Sequence, residues 1–126
     1  MLMAAFAHGS GKEVYIVVDI FRALGDETRL RMLAQIFQEE RCVCEFEECL
    51  GLTQSNASRH LMTLKRSGIL LSRKKAQWTY YRMNPDFVES HKNLYEYLKE
   101  ELVKSQTYHQ DSKKFAEFKQ NNRCGC

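Results

Sequence analysis

GLTQSNASRHLMTLKRSG, from Gly51 to Gly68, decides how the rest of the chain is read. Between its glycines, Ala57, Leu61 and Leu64 recur at four- and three-residue spacing, and winding at about 100° per residue collects them on one face. The opposite face carries Ser55, Asn56, Arg59, Met62, Thr63 and Arg66, with Ser58 at its edge. The pattern predicts a helix from about Gln54 to Ser67, preceded by the turn Gly51-Leu52-Thr53 and stopped by Gly68. Short hydroxyl and amide side chains near a helix N-terminus, with an arginine, suit contacts to base edges, while the exposed backbone N–H groups favour phosphate. Gln54 points sideways on an ideal wheel, yet a first-turn residue still reaches forward into a major groove. His60 lies nearer the buried side and reads as a hydrogen-bonded packing residue.

Working outward, a short helix is expected from about Val43 to Leu50. Two helices joined by a tight glycine-containing turn have the outline of a helix-turn-helix. After Gly68, LLSRKK and WTYYRM read as two strands around a basic tip, closed by Asn84-Pro85, and form a hairpin wing. Toward the N-terminus, Lys12–Leu24 places Val14, Val17, Val18, Phe21 and Leu24 on one helical face, with Ile16 and Ile20 outside it. That β-branched run is also compatible with a strand; a helix buried on two sides, one against a partner subunit, fits the helical elements downstream. Gly25 breaks the pattern, and Asp26 caps a second helix near Glu27–Gln38, with Leu30, Leu33 and Phe37 on its apolar face. Pro85 to about Gln106 repeats Phe87, His91, Leu94, Leu98 and Leu102 at helical spacing and is expected as a dimer helix.

The fold class is therefore mainly α with a small β-hairpin: a winged helix-turn-helix, dimeric through its first and last helices. Residues 12–106 are expected as the DNA-binding and dimerisation domain, between a flexible N-terminal tail (1–11) and a polar C-terminal tail (107–126) ending Cys124-Gly125-Cys126. A chain of 126 residues with 44% hydrophobic and 28% charged residues and one proline agrees with a single globular domain. The net charge is only +3, but Leu52–Asn84 holds seven of the 19 basic residues and none of the 16 acidic ones. Such segregation is the footprint of a surface that meets polyanions. Lys65, Arg66, Arg73, Lys74 and Lys75 are candidate phosphate contacts, which position a protein on DNA without specifying sequence. Nothing reads as membrane-spanning: the apolar start of MLMAAFAHGSGK is too short, and it lacks the basic flank of a signal peptide.

ALGDETRLRML, CVCEFEECLGLTQSNASRHLMTLKRSGIL and RKKAQWTYYRM, in that order, resemble the ArsR/SmtB family of metal-responsive winged-helix repressors across roughly Ile20–Leu102. The resemblance implies a homodimer that holds double-stranded operator DNA until a metal or metalloid binds. It also implies DNA contacts at Gln54, Ser55, Ser58 and Arg59 or His60. Cys42-Val43-Cys44 sits where arsenic-responsive members carry their inducer site.

Thiolates are soft donors, suited to trivalent arsenic or antimony and to cadmium, lead or zinc. The five cysteines are odd in number and clustered, with no export signal, which points to reduced thiols in the cytoplasm rather than a disulfide framework. Residues two apart on a helix face about 200° apart, so chelation by Cys42 and Cys44 is expected to bend or unwind the first turn, a strain that would pass to the DNA-reading helix. Cys49 lies about 10.5 Å further along the helix axis and is either a further ligand or a structural cysteine. Cys124 and Cys126 are another source of ligands, from the same or the other subunit. Two CxC pairs make a four-sulfur set for cadmium or zinc, whereas three thiolates suit arsenite. The family's zinc-sensing pattern on the last helix is absent: Glu89 precedes His91, and Leu102 falls where a second histidine belongs. His8 and His109 read as solvated.

Two other uses of the thiols fit less well. A redox switch needs depressed thiol pKa values, and Glu45, Glu47 and Glu48 oppose that. An enzyme such as a thiol-based arsenate reductase needs an anion cradle, which these acids make poorly. The leading expectation is a repressor released by trivalent arsenic or antimony; the alternative is a cadmium, lead or zinc sensor.

Overall fold

Asp26 starts the ordered helix-turn-helix framework: its backbone is extended (φ −140°, ψ 129°) and its carboxylate accepts the Arg29 N–H at 3.0 Å. The computed structural model describes residues 12–121 and 124–126, so the expected N-terminal tail and His8 lie outside the described residues. Helix α1 is Lys12–Leu24, α2 is Glu27–Ile36, strand β1 is Arg41–Cys42, α3 is Val43–Leu50 and α4 is Gln54–Arg66. Strands β2 (Leu70–Lys75) and β3 (Trp78–Met83) come next, then α5 (Pro85–Ser90), α6 (Lys92–Leu102) and α7 (Gln106–Asn121). Among the described residues no helix is long and apolar enough to cross a membrane.

The helix-turn-helix and wing match the sequence reading. Gly51, at φ 67°, occupies the left-handed cap of α3, and Thr53 accepts the Asn56 N–H to open α4. Ala57, Leu61 and Leu64 are completely buried, packed with Met32, Leu33, Phe46 and Ile69. The wing turns without glycine because Ala76 itself takes φ 56°. The hairpin gains a third strand not foreseen in the sequence: the antiparallel order is β1-β3-β2, with Cys42 opposite Tyr80 and Tyr80 opposite Arg73.

The first helix buries Ile20, Ala23 and Leu24 and leaves Val14, Tyr15, Ile16, Val17 and Phe21 exposed. The expected terminal helix differs in two ways. It divides at His91 (φ −126°, ψ 46°) into α5 and α6. Its apolar stripe faces the chain's own core, with Phe87 and Leu98 buried and Leu94 and Leu102 packed against them, leaving Tyr97 exposed.

The largest correction concerns residues from 107 onward, expected as a polar tail. They form α7, whose Phe115 and Phe118 are buried in the core. Phe115 meets Phe46 edge-on at 5.4 Å between ring centroids, and the Arg41 guanidinium lies 4.9 Å from the Phe115 ring centre. Asp111, 2% exposed, accepts two 2.9 Å hydrogen bonds from Arg31. The last helix is thus an internal latch across α2 and α3. Phe115→Ala is expected to cost about 3–5 kcal/mol, as truncation of a buried phenylalanine does. Urea unfolding measures it; a loss below about 1 kcal/mol would show that α7 is not part of the cooperative core.

Candidate sulfur site and nucleic-acid interface

Cys42 ends β1 and caps α3, and this double role determines the sulfur geometry. Its backbone is extended (φ −85°, ψ 148°), and its N–H donates to the Glu45 carboxylate at 2.8 Å. Glu45 is held in turn by Arg41, which is itself 2% exposed and 3.2 Å away. Because Cys42 stands outside the helix, the 200° separation expected for it and Cys44 does not apply. Their sulfurs lie 3.1 Å apart while α3 runs regularly from Val43. The expectation that bringing these sulfurs together must unwind the first turn is therefore corrected: the cap residue already turns Cys42 toward Cys44.

The C-terminal pair arrives at the same place in the same chain. Against the expectation of reduced thiols, Cys44 and Cys124 are joined as a disulfide; Cys126 Sγ lies 3.0 Å from Cys44 Sγ, and all four Sγ atoms lie within 4.8 Å of one another. Cys49 is not brought to them. It is buried under α7, its thiol donating to the Lys114 carbonyl at 3.6 Å. Burial, with Cys126 and Glu45 adding to it, pushes the Cys42 thiol up to about 12, and burial raises Cys126 as well. Burial likewise pushes Cys49 up to about 11.

With Cys44–Cys124 reduced, the cluster fits a soft ion. A tetrahedral thiolate site with bonds of about 2.3 Å needs sulfur separations of about 3.8 Å, inside the observed span. Three of the four sulfurs suffice for trivalent arsenic.

On α4, Gln54, Ser55, Asn56 and Arg59 are exposed and Ser58 is half-buried. Arg59 donates to the Asn56 side-chain oxygen at 2.7 Å, which sets two polar groups in register on the outer face. Lys65 and Arg66 at the end of α4, and Lys74 and Lys75 at the wing tip, are exposed. Two other candidates already have partners. Arg73 donates to both carboxylate oxygens of Glu40, at 2.8 and 2.6 Å, and lies over the Tyr80 ring. His60 Nδ1 lies 3.1 Å from Arg29, whose other donors hold the Ala23 and Arg22 carbonyls at the end of α1. His60 therefore ties α4 to α1, in line with a packing role.

Two of the four sulfur residues, Cys42 and Cys44, line one cavity of about 530 Å³ together with the candidate DNA contacts Gln54, Ser58, Lys65 and Lys74. Trp78 lines it too, and a side chain added at Gly125 would begin 3.7 Å from the Trp78 ring. The roles of Trp78 and Arg29, and the capping role of Glu45, escaped the sequence reading. Each acts through a partner far along the chain or through backbone geometry; only the spacing of Glu45, three residues beyond the cap, carried a visible signal.

Residues 26–72 match the arsR family of bacterial regulatory proteins. The chain is 44% identical over 87 residues to the arsenic resistance transcriptional regulator ArsR1 of Pseudomonas putida, covering 68% of each chain. It is 41% identical over 69 residues to the arsenical resistance operon repressor of Escherichia coli, covering 54% of this chain and 59% of that one. Among solved structures, the homodimeric winged helix-turn-helix DNA-binding domain of Mb0332 from Mycobacterium bovis superposes with a TM-score of 0.62 at 26% identity, covering 72% of this chain and 84% of that one.

The Arg29–His60 contact needs a neutral ring that accepts at Nδ1. Burial lowers the His60 pKa, with Arg29 and Arg59 acting in the same direction against Asp26. A depressed folded-state pKa gives stability that is fully present above the unfolded value of about 6.5 and is lost as the pH falls through the folded value. The urea midpoint is therefore expected to drop between about pH 7.5 and 5 by more in the wild type than in His60→Gln. Parallel pH profiles for the two proteins would contradict this.

Proposed function

The chain belongs to the arsR family of bacterial regulatory proteins, and on that footing we propose that it is a homodimeric repressor that releases operator DNA when Cys42 and Cys44 take up a thiophilic ion. This is a family of DNA-binding transcriptional regulators, not of enzymes. Operator binding is assigned to Gln54, Ser55, Asn56, Ser58 and Arg59 in the major groove, with Lys65, Arg66, Lys74 and Lys75 on phosphates. Arg73 joins them only by leaving Glu40, and His60 acts by holding α4 in place. The exposed apolar face of α1 supports dimerisation, as does the homodimeric relative from Mycobacterium bovis.

The inducer proposed first is trivalent arsenic or antimony, in keeping with the names of the relatives, held by Cys42, Cys44 and one tail thiol. The ion's contribution is a set of bonds that fasten the start of α3 to the C-terminal pair. A second reading, a cadmium, lead or zinc sensor using Cys42, Cys44, Cys124 and Cys126, is supported by the convergence of four sulfurs. The observation that carries both is the shared cavity, lined by Cys42 and Cys44 on one side and by the candidate DNA contacts Gln54, Ser58, Lys65 and Lys74 among its other residues. Anything that rearranges the sulfur wall acts on α4 and the wing, and the coupling is reciprocal.

Fluorescence anisotropy with operator DNA tests this, using the wild type and Cys42→Ser/Cys44→Ser titrated with arsenite, antimonite, cadmium and zinc. At least one ion is expected to release the wild type and none the double variant; release that persists in the double variant would remove these residues as the inducer site. In the same assay Lys65→Ala and Lys74→Ala are each expected to lower the slope of log affinity against log salt by about 1, weakening all sequences alike.

A further inference from the structure

The charged residues that line the shared cavity are Lys65, Lys74 and Glu47, a balance of one positive charge facing the DNA side. We propose that the four-sulfur cluster is an electrostatic switch for divalent soft ions: filling it reverses the sign of this cavity and repels the phosphate backbone that Lys65 and Lys74 attract. The inference rests on the cluster being the inducer site.

Charge follows from stoichiometry. An external dithiol first reduces Cys44–Cys124 to two thiols and is itself oxidised to its disulfide. A divalent cation then replaces four S–H bonds by four sulfur–metal bonds and releases four protons, with no electron transferred. Four thiolates around a doubly positive ion leave a net charge of minus two beside Cys42 and Cys44, the two ligands that line the cavity, which turns its balance from plus one to minus one. Arsenous acid behaves differently. Three thiols displace three hydroxyls as water, no proton is released, the product is neutral and the fourth thiol stays protonated.

Distance permits the effect. A cavity of about 530 Å³ is about 10 Å across, comparable with the screening length of about 8–10 Å at physiological salt. The new charge is therefore felt by Lys65, Lys74 and bound phosphate at low salt and fades as salt rises. Cancelling two phosphate contacts flattens log affinity against log salt by up to about 1.8, which weakens binding at about 0.1 M salt by up to about 60-fold.

The test uses the full reduced chain under anaerobic conditions, with cadmium chloride and sodium arsenite as probes. Trp78, the only tryptophan in the chain, reports loading through its emission, an indicator dye counts protons, and anisotropy gives operator affinity across a salt series. Cadmium is expected to release about four protons and flatten the salt slope, whereas arsenite releases none and leaves the slope unchanged. In Cys124→Ser/Cys126→Ser, cadmium has two thiolates, releases about two protons, leaves a neutral site and does not flatten the slope. Cadmium that binds and releases DNA with an unchanged slope overturns the switch but keeps the inducer site. Equal flattening by arsenite and cadmium also overturns it. No response of Trp78 or of DNA affinity to either probe overturns both the switch and the inducer reading.

Discussion

The sulfur site depends on one buried ion pair, Arg41 with Glu45, 2% and 9% exposed respectively. Glu45 accepts the Cys42 N–H and Arg41 holds Glu45, so Cys42 is fixed as the residue where β1 ends and α3 begins. Arg41 also donates to the Gln35 carbonyl at 3.1 Å and lies over Phe115, which joins α2, α3 and α7 at one guanidinium. A buried pair of this kind contributes little net stability, but losing one partner leaves an uncompensated charge and costs about 3–5 kcal/mol. Its value here is positional. The pair keeps Cys42 out of the helix, and only from there can two residues so close in sequence bring their sulfurs together.

The rest of the site is built on this arrangement. Helix α7 is latched by Phe115 against Phe46 and by Asp111 on Arg31, with Lys119 paired to Glu39. The latch places Cys124 and Cys126 beside Cys44, next to the wing residue Trp78. Sulfur, wing and α4 then meet at one cavity. Under the proposed function, coupling between ion and DNA would need no long relay, because Cys42, Cys44 and the candidate DNA contacts border the same space.

Much of the fold was legible because it is local. Ala57, Leu61 and Leu64 declared the buried face of α4 by spacing alone, Gly51 and Gly68 marked its limits, and the aromatic and basic alternation of the wing gave the hairpin. The candidate site was half legible. CVC was visible as chemistry, but its geometry was misjudged, because a helical wheel assumes that both cysteines are helical and Cys42 is a cap. Helix α7 was hidden by its polar composition, although Tyr108, Asp111, Phe115 and Phe118 recur at three- and four-residue spacing. The partners that make that face worth burying, Phe46 and Arg31, lie far away in sequence. The inward turn of Leu94, Leu98 and Leu102 was likewise beyond reach, since spacing shows that a stripe is buried and not what buries it.

Competition between ion and operator through a shared cavity is the central claim, and reciprocity gives its most direct measurement. Ion affinity is titrated through Trp78 emission on the free protein and on the protein saturated with operator DNA. If the two sites are coupled, DNA weakens ion binding by the same factor by which the ion weakens DNA binding. Equal ion affinity with and without operator would contradict the account.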